Sequence, residues 1–96
     1  MPLFHFIGHD KPDGLAVRMA ARPEHLAYAQ PHTRAGGALL GADGNPIGSV
    51  IILEADSLEA AQALIDNDPY TKAGVFETTE LHPWRLALGG IVGYTA

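Results

Sequence analysis

The sequence predicts an α+β domain in which two helices cover one face of a four-stranded antiparallel sheet. Three observations carry this. Residues 3–7 form a short apolar run, and a turn-rich stretch at residues 41–46 separates two strand-like arms. Leu58, Ala61, Leu64 and Ile65 then recur at helical spacing. The resulting order is β-α-β-β-α-β.

Leu3-Phe4-His5-Phe6-Ile7 reads as the first strand, with Phe4 and Phe6 on one face and Leu3, His5 and Ile7 on the other. A polar connection from Gly8 to Gly14 follows, with Asp13 as a plausible N-cap. Leu15 to Arg22 is helical in composition. Pro23 is expected to kink that helix or to start a new segment from Glu24 to Ala29, because an interior proline costs about 3 kcal/mol. Gly36 and Gly37 separate the helical region from a hairpin. Its arms are Ala38-Leu39-Leu40 and Ile47 to Glu54, joined by Gly41-Ala42-Asp43-Gly44-Asn45-Pro46. Within the second arm, Val50-Ile51-Ile52-Leu53 suits a central strand buried on both faces. Asp56 and Ser57 cap the next helix, which Asn67-Asp68-Pro69-Tyr70 ends, since the residue before a proline avoids the helical region. The last strand runs from Val75 to Leu81, and beyond Trp84 the tail is apolar and rich in glycine. Two helices on one face of such a sheet give a ferredoxin-like arrangement.

Composition narrows the function classes. Ninety-six residues make one domain, and a chain of this length hides only about two thirds of its unfolded surface. No cysteine is present, so disulfides and thiolate chemistry are excluded, which fits a cytoplasmic protein. With one sheet face uncovered and no disulfide, a homodimer is the expected remedy. Six Lys and Arg against eleven Asp and Glu give a net charge of −5, which speaks against a nucleic-acid partner. The N-terminal stretch MPLFHFIGHDKPDG lacks a basic leader, so no signal peptide is expected. No apolar run approaches the roughly 20 residues that span a bilayer, so no membrane partner is expected either.

Several stretches resemble the YCII-related (YciI-like) family. They are His9-Asp10-Lys11-Pro12, Arg22-Pro23-Glu24-His25-Leu26-Ala27-Tyr28, Asp43-Gly44-Asn45-Pro46-Ile47-Gly48-Ser49, Asp68-Pro69-Tyr70, Ala73-Gly74-Val75 and Pro83-Trp84. Each alone is weak, but in this order they make a specific match from Gly8 to Trp84. The resemblance implies one YCII-related domain over residues 1–96, with the tail at 86–96 unlike the usual polar ending. It implies a dimeric α+β barrel with a small cleft per protomer, built around a histidine and an aspartate. Carried onto this sequence these are His25 and Asp68, and the implied activity is general acid/base chemistry on a small organic molecule. Where the family often has Gly-Pro before the hairpin strand, this chain has Gly37-Ala38, which bears on one cleft wall.

An imidazole titrates near neutral pH, and a carboxylate on its second nitrogen fixes the tautomer. The plain alternative makes His25 a helix-surface histidine and Asp68 a turn former before a proline. Ser49 can offer a hydroxyl to a ligand or be ordinary strand-start polarity. It is not in a Gly-x-Ser-x-Gly elbow, so it is no hydrolase nucleophile. Arg22, one turn before His25, can hold an anionic group or be a solvated helix arginine. Tyr70 and Trp84 can wall an apolar pocket or belong to core or interface. The five histidines include no HxH or HExxH pattern, so no metal is expected, and the glycines form no nucleotide-binding motif. The expected function is a cofactor-free small-molecule enzyme of lyase or isomerase type, with His25 and Asp68 catalytic and Arg22, Ser49, Tyr70 and Gly37 binding substrate. Its rival is a non-catalytic dimeric metabolite-binding module.

Overall fold

The computed structural model describes residues 2–94. Strand β1 (Leu3–Asp10) leads to helix α1 (Leu15–Ala29), and strands β2 (Thr33–Leu40) and β3 (Pro46–Glu54) form a hairpin. Helices α2 (Leu58–Asp66) and α3 (Pro69–Lys72) precede strand β4 (Phe76–Trp84). The sheet order is β2-β3-β1-β4, and every neighbouring pair is antiparallel. This is the ferredoxin-like arrangement that the sequence predicts.

Register decides which side chains meet. Phe6 lies opposite both Ile51 and Leu81, and Phe4 opposite Leu53, so these residues share one face. That face carries the apolar cluster of Phe4, Phe6, Ile51 and Leu53 with Ala55, Ala61 and Ile65. Phe6 and Leu53 are 1% and 0% exposed, and burying a side chain of this size is worth about 1.5–3 kcal/mol. Gly8 continues the same face and leaves room for an aromatic ring. A Cβ there would lie 2.6 Å from the Phe76 ring, which instead packs edge-on against Phe6. At the hairpin turn Gly44 adopts φ +83, a conformation that side-chain-bearing residues rarely take.

The helical segments differ from the expectation in three ways. α1 runs unbroken from Leu15 to Ala29 through Pro23. Pro23 is exposed, so the carbonyl left without its N–H donor stays accessible to water and the helix is not forced to stop. Its N-cap is Gly14 without a side-chain bond, so Asp13 is not the cap. After Asn67 a further single turn forms, with Pro69 at its start and Asp68 as N-cap accepting from the Tyr70 amide at 2.8 Å. At α2 the cap is Ser57, whose hydroxyl accepts from the Ala60 amide at 3.1 Å.

Two strand boundaries also move. β2 includes Gly36 and Gly37, because pairing with Ile51 and Val50 of β3 outweighs the low strand preference of glycine. β4 is displaced toward the C-terminus, from Phe76 to Trp84. Beyond it the tail buries Leu86, while Leu88 and Val92 stay exposed. Tyr94 returns to β2, its hydroxyl accepting from Arg34 Nε at 3.2 Å. Residues 95 and 96 of the 86–96 tail lie outside the described residues. No helix among the described residues is long and apolar enough to cross a membrane.

Candidate functional site

α1 does not close fully over the β2–β3 side of the sheet. An open cleft of about 480 Å³ lies there, bordered by Arg18, Arg22, His25 and Leu26 of α1 and by Gly36, Gly37, Ala38, Ser49 and Ile51 of the sheet. Tyr70 of α3 completes it. Residues 18, 22, 25 and 29 recur at helical spacing, and Arg18, His25 and Ala29 are the buried members of α1.

His25 and Asp68 are in contact. The imidazole Nδ1 lies 2.8 and 2.9 Å from the two carboxylate oxygens of Asp68. An ionised carboxylate can only accept, so Nδ1 carries the proton and donates it. Asp68 is fixed in turn by the Tyr70 amide, so the turn that starts α3 also orients the imidazole. The Tyr70 ring stacks on His25 at a centroid distance of 3.8 Å and 10° between planes. Nε2 has no partner among the described residues and is left to the cleft.

A buried ion pair lies in the same cleft. Arg18 is 3% exposed, with Nε 2.7 Å and Nη2 2.9 Å from the two oxygens of Asp10. Nη2 also donates to Ser49 Oγ at 2.8 Å. The guanidinium carbon lies 4.6 Å from the centre of the Tyr70 ring. Burial pulls the Arg18 pKa down, but hydrogen bonding and attraction to Asp10 prevail and hold it above its ordinary value. For Tyr70 burial wins and pushes the phenol up, although Arg18 draws it the other way. Tyr70 therefore stays a neutral hydroxyl at physiological pH.

The cleft thus gathers His25, Ser49, Tyr70 and Arg22, with Asp68 directly behind His25. Arg22 is exposed on the rim, and the buried cation is Arg18 instead. Gly37 lends only backbone, because its register opposite Val50 turns it to the other sheet face. Gly36, opposite Ile51, is the glycine that faces the cleft. Trp84 borders a separate depression with Leu3, Leu86 and Tyr94. Arg18 and Asp10 were missed by sequence reasoning. The available signal was the seven-residue spacing from Arg18 to His25, which the expected break at Pro23 hid. Among the described residues no group of three or more His, Asp or Glu converges as a metal site.

The model of the YCII-related domain matches residues 3–85. The chain belongs to the YCII-related family. It is 38% identical over 94 aligned positions to protein YciI of Escherichia coli, covering 86% of this chain and 96% of that one. An uncharacterized protein of Haemophilus influenzae is 32% identical over 88 positions, covering 79% and 89%. Among solved structures, 5-chloro-2-hydroxyhydroquinone dehydrochlorinase (TftG) of Burkholderia phenoliruptrix, in complex with 2,5-dihydroxybenzoquinone, superposes with a TM-score of 0.82. It is 36% identical, with 88% of this chain and 95% of that one covered. A structure described as an antibiotic biosynthesis monooxygenase, 12% identical with a TM-score of 0.57 over 92% of this chain and 100% of that one, shares the fold alone. The YCII-related chain described here has the likeness to TftG over nearly its whole length.

Proposed function

We propose that this chain is a cofactor-free enzyme of lyase or isomerase type that acts on a small organic molecule in the α1–β2 cleft. The supporting observation is one imidazole with its two nitrogens in different environments. Nδ1–H of His25 is held by Asp68, while Nε2 is unpartnered at an open cleft. In that tautomer Nε2 presents a lone pair and acts as general base, and the Asp68 carboxylate stabilises the imidazolium that results. In an elimination, Nε2 takes a proton from the substrate, the released electron pair forms the new double bond, and the leaving group departs with its own pair. No electrons leave the system, so no redox cofactor is required. The likeness to TftG, a dehydrochlorinase, supports an elimination of this kind.

The first substrate to assay is 5-chloro-2-hydroxyhydroquinone, with chloride release as the readout. Turnover by the wild type should fall about 10²–10⁴-fold in His25→Ala. Asp68→Asn should fall nearly as far, and the double variant no further, because the two act as one unit. Wild-type protein that is thermally stabilised by small aromatic anions yet turns none of them over would place the chain among binding modules instead.

We further propose that two protomers associate through the sheet face that α1 and α2 leave bare. It carries Ile7 and Val50 beside His5 and His82, and only at the Leu3–Trp84 end does the tail lie against it. An apolar sheet face on a chain this small needs cover. Sedimentation should give a dimer at micromolar concentration, and a monomer there would refute this part.

A further inference from the structure

The Arg18–Asp10–Ser49 cluster lies two helical turns from His25, and the proton transfer proposed for His25 leaves it unused. A guanidinium has five N–H groups. Asp10 accepts two of them, from Nε and Nη2, and Ser49 Oγ accepts the second one on Nη2. The two N–H groups of Nη1 have no acceptor among the described residues. Nor is Nη1 sealed away, because Thr33 Oγ1 and Thr71 Oγ1 are the only such buried, unpartnered side-chain atoms among the described residues. Nη1 therefore opens to the cleft that Arg18 lines. Ser49 is in a matching position. Its oxygen accepts from Arg18, its proton has no acceptor among the described residues, and the residue is 4% exposed in the cleft wall. The Tyr70 ring lies under the same guanidinium, and its hydroxyl interacts with Arg18. Two donor groups, Arg18 Nη1 and the Ser49 hydroxyl, are thus unengaged around one end of the cleft, and one of them carries a full charge.

We infer that Arg18 and Ser49 form a subsite for a single ionised oxygen, a phenolate or enolate on a flat ring, at the Arg18 end of the cleft. A carboxylate fits less well. Bidentate capture needs two parallel N–H groups on one edge of the guanidinium. The Nε/Nη2 edge already holds Asp10, and Nη2 has no N–H left for the other edge. What remains is one nitrogen and one hydroxyl, the complement of one oxygen. Asp10 keeps the guanidinium immobile, so the charge is aimed before a ligand arrives. The flat walls agree with a ring, since Gly36 and Gly37 contribute no side chain. This rests on the cleft being a substrate site and not on His25 being its base.

The test titrates the protein with 2,5-dihydroxybenzoquinone, which carries oxygens on opposite sides of a ring, and with benzoate as the carboxylate control. Ser49→Ala leaves the Asp10–Arg18 pair intact. The double variant Asp10→Asn/Arg18→Gln removes the pair without leaving a lone buried carboxylate. Since one hydrogen bond to a charged group is worth about a tenfold change or more, Ser49→Ala should weaken quinone binding about tenfold and the double variant further. Ser57→Ala, at the α2 cap and outside the cleft lining, should stay within about threefold. Wild-type protein should hold benzoate at least about tenfold more weakly than the quinone. The inference is overturned if the wild type does not bind the quinone, if benzoate binds as tightly, or if either variant binds like the wild type. Should circular dichroism show the double variant unfolded, the Ser49→Ala affinity decides alone. If His25→Ala proves catalytically silent while the Ser49 dependence holds, the acid/base assignment fails and this subsite stands. The reverse pattern removes the subsite and leaves the dyad.

Discussion

The helix-covered face of the sheet is built from two unlike halves. Under α2 the packing is apolar throughout, with Phe4, Leu53, Ala55, Ala61 and Ile65 in one cluster to which α1 contributes nothing. Under α1 the enclosed groups are Arg18, His25, Ser49 and Asp68, which are all the buried polar residues among those described. Apolar contacts need no partner geometry and stabilise in proportion to area. Buried charges destabilise the fold unless each finds its partner. The α2 half therefore holds the domain together, and the α1 half is held by it. With the core elsewhere, the chain keeps the Arg18–Asp10 ion pair and the His25–Asp68 hydrogen bonds beside an open cleft.

That division can be broken by mutation. The largest expected effect is functional. His25→Gln should remove nearly all turnover while the protein still melts within a few degrees of the wild type, because its amide can still donate to the buried Asp68 carboxylate. A melting loss as large as that of a core truncation would contradict the division. The next effect is structural. Leu53→Ala should lower unfolding free energy by about 2–5 kcal/mol, or by some 4–8 °C in Tm per kcal/mol at this size. Below its melting temperature this variant should keep the wild-type rate per folded molecule. Ser57→Ala, which deletes the α2 cap, should lower stability by about 1 kcal/mol by urea titration, again without touching turnover.

The smallest effect concerns His32, which is half-buried and packs edge-on against Tyr28. Burial lowers its pKa, and the pull of Asp68 in the other direction does not restore it. Between that lowered value and the usual value of about 6.5, the unfolded chain binds a proton that the folded chain does not. Stability from this group is thus complete above about pH 6.5 and declines as the pH falls below it. His32→Gln should flatten the urea midpoint against pH across that range. An unchanged slope would show that other groups govern it.

Much of this was legible in the sequence. The alternation of Phe4 and Phe6 and the 58–65 helical spacing give the sheet face and α2, since periodicity reports directly on burial. Contact between His25 and Asp68 was reachable only through family resemblance, because 43 residues separate them and no local pattern links two such elements. The α1 half was read least well. The break expected at Pro23 cuts the helical stripe between Arg18 and His25 and leaves Arg22 as the visible cation. Gly36 and Gly37 read as a separator, because glycine says little about strand pairing when the neighbouring strand decides it. The α3 turn is too short for any periodicity to announce it.

The unbroken passage of α1 through Pro23 has a metric consequence. With no kink, the seven residues from Arg18 to His25 advance about 10 Å along a stiff axis. The helix thus fixes the spacing of the Arg18 guanidinium and the His25 imidazole, both of which lie against the Tyr70 ring. A molecule that touches both must match the separation of the two head groups, which is shorter than the backbone rise because both lie against one ring. In a substrate site built this way, size selection would be a property of the helix backbone, independent of any moving loop, and a one-residue insertion between Arg18 and His25 would turn one end by about 100° away from the cleft.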